Sequence, residues 1–365
     1  MRVIMTGGGT GGHIYPALAI ARGIMKRWPQ SKAIFVGTRE GMENDIIPAN
    51  GFELRTISAQ GLDRSSLLKA VKSALKVPAG FWQARNIIKE FGPDLVVGTG
   101  GYASYPVVLA ATVMHVKTII HEQNAYPGLA NRALGGKVDR ILLTFPGAEE
   151  HFPPGRTHLT GLPVRPEIAA ASRREAAAVF GIREDRFTIA AVGGSRGSLR
   201  INQALAGIVP KLSGQGIQLL WVTGEQHYEA MLESVSQPVM PDNVRVFPYL
   251  FNIELALAAA DLVICRAGAA TLSELAVRGV PAILIPYPYA AENHQEKNAR
   301  YLESKGAAMM IIDEFLDADT LAAKIDELYK NKFRLLRMAQ IMKEEGKPQA
   351  LDSILDIIQE VTGAD

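Results

Sequence analysis

A glycine-rich run ending in a histidine, Gly7-Gly8-Gly9-Thr10-Gly11-Gly12-His13, follows the apolar segment Val3–Met5 and precedes a stretch of helical periodicity. Gly7, Gly9 and Gly12 satisfy G-x-G-x-x-G, the pattern of a backbone that approaches a phosphate closely at a helix start. A dinucleotide enzyme also needs an acid closing the second strand to hold the ribose diol. Here the second strand continues Phe35-Val36-Gly37-Thr38-Arg39-Glu40, and Glu40 lies well beyond its end, so a nicotinamide-dependent oxidoreductase is a poorly supported alternative. His13 is expected at the helix start, where the positive end of the helix disfavours imidazolium. A neutral imidazole there suits removal of a proton from a sugar hydroxyl. The plainer alternative is a histidine that only caps or packs the helix entry.

Two further turns follow apolar runs in the first half. They are Gly98-Thr99-Gly100-Gly101-Tyr102-Ala103-Ser104 and His121-Glu122-Gln123-Asn124-Ala125-Tyr126-Pro127-Gly128. Ligands of open α/β sheets bind beyond the carboxyl ends of the strands, so the three turns are expected to line one site. Their backbone N–H groups, with those of Gly9, Gly100, Gly101 and Tyr102 as candidates, could hold a diphosphate without a metal.

The second half carries Cys265-Arg266-Ala267-Gly268-Ala269-Ala270-Thr271-Leu272-Ser273-Glu274, again an apolar run, a small-residue turn and a helix. Small residues at Ala267–Ala270 let a phosphate reach the helix start. Glu274 can accept from both ribose hydroxyls, or else it is a first-turn acid that only complements the helix dipole. Gln295 and Asn298 carry amides able to read sugar hydroxyls. The lone D-x-D, Asp317-Ala318-Asp319, reads as a helix N-cap, and no G-x-x-x-x-G-K-[ST] is present. Neither a catalytic metal nor a cofactor is expected.

These residues need elements to position them. Val3–Met5, Ala33–Val36, Leu95–Val97, Thr118–Ile120 and Ile141–Leu143 read as buried parallel strands. So do Thr188–Val192, Gln218–Val222, Val244–Phe247, Leu262–Cys265, Ala282–Ile285 and Met309–Ile312. Helical segments between them imply an α/β protein of two Rossmann-like, doubly wound parallel-sheet domains facing across a cleft. The linker falls near Gly161-Leu162-Pro163-Val164-Arg165-Pro166, where two prolines suppress helix. The domains are therefore expected at 1–163 and 164–346, with a last helix, about Leu351–Val361 within 347–365, packing back on the first.

A length of 365 residues suits two domains, and 48% hydrophobic residues supply their cores. A net charge of +2 argues against nucleic acid as a partner. The single cysteine, Cys265, fits a reducing cytoplasm, and the opening Met1-Arg2-Val3-Ile4 gives no export signal. A soluble or peripheral protein is expected. Within Leu67–Phe91, the apolar residues Leu67, Leu68, Val71, Leu75, Phe81 and Trp82 alternate with Lys69, Lys72 and Lys76. That is either a core stripe with a solvated lysine face or a helix lying on an anionic membrane surface.

Taken together, Gly8–His13, Gly100-Gly101-Tyr102, His121-Glu122-Gln123-Asn124, Gly193-Gly194-Ser195 and Arg266–Glu274 resemble, in order and spacing over nearly the whole chain, the MurG family of glycosyltransferases. The resemblance implies the GT-B fold, a lipid-acceptor domain first and a UDP-sugar domain second. It implies inverting transfer of N-acetylglucosamine from UDP-N-acetylglucosamine to the 4-hydroxyl of undecaprenyl-pyrophosphoryl-N-acetylmuramyl pentapeptide, giving the lipid-linked disaccharide and UDP. This is a step of peptidoglycan synthesis at the cytoplasmic face of the bacterial membrane, and it favours the membrane reading of Leu67–Phe91. Carried over by motif, His13 is the catalytic residue. Thr10, Gly11, Gly12, Asn124, Arg165, Ser195, Leu250, Ala269, Ala270, Thr271, Leu272, Ser273, Glu274 and Gln295 contact the donor, Leu250 through its backbone to uracil. Arg196 and Leu162 depart from the family's usual Gln and Asn. A related glycosyltransferase acting on diacylglycerol is the nearest alternative, and a non-catalytic sugar-nucleotide sensor is a third.

Overall fold

The computed structural model describes residues 1–59, 67–194, 197–236 and 241–364, with only the backbone described over 67–77. The chain divides into two compact units, Met1–Pro163 with Lys347–Asp365, and Val164–Gly346.

The first unit is built on seven strands: β1 (Arg2–Thr6), β2 (Lys32–Thr38), β3 (Glu53–Ile57), β4 (Leu95–Gly98), β5 (Lys117–Glu122), β6 (Arg140–Leu143) and β7 (Thr157–Leu159). They pair in parallel in the order β3-β2-β1-β4-β5-β6-β7. The central strands are short apolar runs because helices cover both faces of the sheet. On one face Ile4, Val96 and Ile120 pack with Ala84, Ile88 and Val107. On the other, Val3, Met5 and Val97 meet Ile14, Leu18 and Ile20 of the helix Gly11–Arg27. The last helix, Ala350–Thr362, adds Ile354, Leu355 and Ile358 to this second layer. Each fully buried aliphatic side chain contributes about 1.5–3 kcal/mol.

The second unit repeats the winding with β8 (Thr188–Val192), β9 (Gln218–Val222), β10 (Val244–Phe247), β11 (Leu262–Cys265), β12 (Ala282–Leu284) and β13 (Ala308–Met310), ordered β10-β9-β8-β11-β12-β13. Trp221, fully buried in β9, donates its indole N–H to Asn202, and Asn202 in turn donates to the Thr223 carbonyl. No polar group of that buried trio is left without a partner.

Two strands escaped the sequence reading, β3 and β7, and both are edges. Edge strands need no continuous apolar run, and β3 is charged at Glu53 and Arg55. The expectation that both linker prolines suppress helix is corrected. Pro166 is the first residue of the short helix Pro166–Ala170, where a proline's missing N–H costs nothing. Among the described residues, no helix is long and apolar enough to cross a membrane.

Candidate functional site

In the first unit, three loops leave the carboxyl ends of β1, β4 and β5, which are neighbours in the sheet. The chain reverses its direction of winding between β1 and β4, the place where open α/β sheets hold ligands. The loop after β1 opens the helix Gly11–Arg27, whose N-cap, Thr10, supplies no side-chain cap. The first N–H groups of that helix therefore remain available to an anion.

The loops interlock at distances only glycine tolerates. Gly101 adopts φ +85°, and a Cβ there would stand 2.2 Å from the Gly8 carbonyl oxygen. The exposed ring of Tyr102 lies against Gly9, and Thr99 donates its hydroxyl to the His13 carbonyl at 2.8 Å. His13 itself is fixed through Nδ1, 2.9 Å from the Thr99 carbonyl oxygen and 3.1 Å from Gln123 Oε1. Nε2 makes no hydrogen bond to any described residue. This one histidine thus ties all three loops together while keeping a ring nitrogen for chemistry.

Two buried carboxylates brace these loops from behind. Glu43, 0% exposed, accepts from Gly9 N at 3.0 Å, Thr38 N at 2.9 Å and Thr38 Oγ1 at 2.7 Å. Burial alone would raise its pKa, but the bonds from Thr38 and Gly9 outweigh that and hold the carboxyl below its ordinary value. Glu122, also buried, accepts from Asn124 N, Gly128 N and Asn131 Nδ2 and so shapes the loop after β5. His121 is fully buried, and desolvation pushes its imidazole down to about 4. Its Nε2 meets the Gly161 carbonyl at 3.0 Å and its Nδ1 meets Gln123 Nε2 at 3.1 Å.

In the second unit the reversal lies between β8 and β11. After β8, Gly197 adopts φ +75° with its Cβ position 2.0 Å from the Thr223 carbonyl oxygen, a second place where only glycine fits. Ser198 then caps the helix Leu199–Gly214. Arg266, at the end of β11, donates to that Ser198 hydroxyl, to the Ile285 and Pro286 carbonyls, and to buried Asp313. It thereby joins three loop regions at once. Gly268 begins the helix Ala269–Arg278 with no side-chain cap, so the N–H groups of Ala269, Ala270 and Thr271 form a second anion-ready helix start.

Arg165 and Glu274 come together: Arg165 Nη2 lies 3.7 Å from Glu274 Oε1, and Nη1 lies 3.8 Å from Glu254 Oε2. Burial raises the pKa of Glu274, Arg165 lowers it, and Glu254 adds to the rise. Glu274 is the sixth residue of its helix, so the alternative of a first-turn acid does not apply.

Several expected contacts take a different form. Asn298 is 0% exposed and donates to the Ala267 carbonyl, so it holds the turn after β11 and reads no sugar. Gln295 Oε1 accepts from Ala267 N and Tyr287 N, which leaves its NH2 group as the donor it can offer a ligand. Leu272 is 1% exposed and its side chain packs in the core, while Thr271 and Ser273 are partly exposed. Leu250 follows β10 in a loop and is partly exposed. Ser195 and Arg196 lie outside the described residues, and Leu162 is buried. Asp317 caps the helix Ala318–Lys330 by accepting from Thr320 N at 2.7 Å, as the D-x-D spacing implies.

In the helix Leu67–Phe91 the described half divides its faces. Phe81 packs with Ala84, Ile88 and Phe91 in the core, whereas Trp82 is 59% exposed with Arg85 beside its ring. The rest of the apolar and lysine pattern, Leu67 to Lys76, falls where side chains are not described. Glu43 and Asp313 were not singled out by sequence reasoning, and Arg266 was read only as the start of the Arg266–Glu274 motif, with no contact of its own. Local spacing does not give their bracing roles, because the bonds from Glu43 to Gly9 and from Arg266 to Ser198 and Asp313 span more than 30 residues.

Comparison with known proteins agrees with this arrangement. Residues 3–143 match the glycosyltransferase family 28 N-terminal domain and residues 188–354 its C-terminal domain. The chain is 47% identical over 362 residues to the UDP-N-acetylglucosamine–N-acetylmuramyl-(pentapeptide) pyrophosphoryl-undecaprenol N-acetylglucosamine transferase of Desulfitobacterium hafniense, with 98% of each chain covered. It is 44% identical to the transferase of the same name from Desulforamulus reducens, covering 99% of each. Among solved structures, Acinetobacter baumannii MurG superposes with a TM-score of 0.82 at 29% identity, over 98% of this chain and 99% of that one. With both domain models matched and relatives this similar along their full length, the chain belongs to glycosyltransferase family 28, in the MurG family.

Proposed function

We propose that the chain transfers N-acetylglucosamine from UDP-N-acetylglucosamine to the 4-hydroxyl of N-acetylmuramyl-(pentapeptide)-pyrophosphoryl-undecaprenol, releasing UDP. The observation that carries this reading is identity of 44–47% over essentially the whole chain with relatives named for that reaction. The first unit would take the lipid-linked acceptor, its diphosphate at Gly9, Gly100, Gly101 and Tyr102. The second would take the nucleotide sugar, with the pyrophosphate on the helix start at Ala269–Thr271 and the ribose hydroxyls on Glu274.

His13 Nε2 takes the proton as the acceptor oxygen attacks the anomeric carbon. The bond from that carbon to UDP breaks on the opposite face, and the configuration inverts. Negative charge growing on UDP is met by N–H groups already aimed at it, with no reorganisation. The reading seats the chain peripherally at the cytoplasmic face of an anionic bilayer, and exposed Trp82 on the helix Leu67–Phe91 supports the contact with lipid.

The test is UDP release from purified protein given UDP-N-acetylglucosamine with and without a short-chain analogue of the muramyl lipid. Acceptor-dependent UDP with a disaccharide product is expected. His13→Ala should lower kcat by at least about 100-fold while leaving donor affinity within about twofold. Product formation from diacylglycerol but not from the muramyl analogue would overturn the acceptor, and tight NADH binding would revive the oxidoreductase.

A further inference from the structure

His121 at the end of β5, with Gln123 and Thr99 of the loops, leads to His13 through a chain of hydrogen bonds whose directions are all determined. His121 Nε2 lies 3.0 Å from the Gly161 carbonyl, which only accepts, so that nitrogen carries the proton. Buried and uncharged, His121 then offers Nδ1 as an acceptor, and Gln123 Nε2 donates to it at 3.1 Å and to the His121 carbonyl at 3.0 Å. Both acceptors therefore claim the NH2 end of the Gln123 amide. Its Oε1 must face the other way, toward His13 Nδ1 at 3.1 Å, where the Thr99 carbonyl also accepts at 2.9 Å. Two acceptors with no competing donor place the His13 proton on Nδ1.

We infer that Gln123, oriented by His121, is a positioning residue that together with the Thr99 carbonyl holds His13 in the Nδ1–H tautomer and fixes its ring, leaving the Nε2 lone pair to receive a proton. A flipped Gln123 amide would present its NH2 to Nδ1, favour the Nε2–H tautomer and block the base. Thr99 alone cannot prevent that competition. His121 can, because its Nδ1 has no other described donor. The catalytic value of the lock rests on the transferase reading above, but the tautomer is a property of the resting protein.

The experiment uses full-length protein labelled with 15N-histidine, the His13 resonances being assigned by their loss in His13→Asn. In its uncharged form, the wild-type His13 ring should carry its proton on Nδ1. Gln123→Met leaves the Thr99 carbonyl as the acceptor of the Nδ1 proton, so it should admit the Nε2–H form only as a minor species, free the ring on one side and lower kcat about tenfold, the lower end of the loss seen when a partner that orients a metal-bound imidazole is removed. KM for UDP-N-acetylglucosamine should stay within about twofold, a split that general loosening of the fold would not give. A wild-type His13 protonated on Nε2 overturns the lock even if no variant folds. So does a Gln123→Met protein with unchanged tautomer and unchanged kcat. A wild-type Nδ1–H ring in a protein that releases no UDP would instead leave the lock standing and defeat the transferase reading.

Discussion

Acid should destabilise the first unit through His121 in a way that can be isolated. The imidazole ionises near 6.5 in an unfolded chain and is pushed down to about 4 by burial in β5. Between those values the unfolded chain binds a proton that the folded one refuses, so stability falls as pH falls. It is fully present above about pH 7 and stops falling below about pH 4. The gap between 6.5 and about 4 corresponds to roughly 3 kcal/mol when complete, of which about 2.5 kcal/mol is lost by pH 4.5. That is a large part of the 5–15 kcal/mol typical of a domain, roughly speaking. The comparison is urea unfolding of wild type and His121→Gln, which is neutral at every pH, from pH 7.5 to 4.5. Other acid-sensitive groups cancel in the difference. With an m value of roughly 2 kcal/mol/M, the wild-type midpoint for this unit should fall by about 1 M more than that of the variant. The His121 ring signal should titrate below pH 5 in NMR spectra. Parallel midpoints across the range, or titration near 6.5, would show that His121 is not held neutral by burial and would undo the reasoning.

Glu274→Ala should weaken UDP-N-acetylglucosamine binding by about 10- to 100-fold in calorimetry, the worth of charged hydrogen bonds to the ribose; an unchanged Kd would remove Glu274 from the donor site. Gly101→Ala, which adds both a strained φ and a Cβ 2.2 Å from the Gly8 carbonyl oxygen, should cost more than about 2 kcal/mol and show as a lowered Tm, and a wild-type Tm would mean the loops can separate freely. Glu43→Gln keeps the shape but turns an NH2 toward donors on Thr38 and Gly9, at a cost of about 1–3 kcal/mol. Because the native carboxyl titrates below its ordinary value, the wild type's advantage should hold above about pH 4.5 and fade as pH falls through the lower folded value. An advantage independent of pH would mean that Glu43 is not ionised in its pocket.

The elements of this chain were legible wherever chemistry is local. Val3–Met5 followed by Gly7 announces a buried parallel strand and a phosphate-type turn, and the same logic finds β8, β9, β10 and β11 at their observed limits. The edge strands β10 and β13 were read, but β3 and β7 were not, because β3 carries charge at Glu53 and Arg55 and β7 is three residues long. Within the site, the glycine turns and His13 stood out, since a backbone pressed against another backbone restricts residue type. What braces those turns did not. Glu43 reaches Gly9 from a helix 34 residues away, and Arg266 reaches Asp313 across 47. Their partners are chosen by topology, so only the folded chain reveals them. Asn298 was misread for a related reason: an amide suits a sugar or a backbone carbonyl equally, and burial decides which.

The last helix gives the molecule an unusual order of completion during synthesis. Residues 164–346 form one uninterrupted stretch, so the chain of that unit is complete once the stretch has emerged. The unit started at Met1 has its sheet early, but the layer containing Ile14, Leu18 and Ile20 stays open until Ile354, Leu355 and Ile358 arrive. Gly23 keeps a berth for Leu351, whose side chain fills the space a Cβ would occupy, and Arg27 and Arg140 wait for Asp356 and Glu360. The unit begun first is therefore the unit finished last. A chain cut after Gly346 but before the helix Ala350–Thr362 would hold a complete second unit and an unsealed first one.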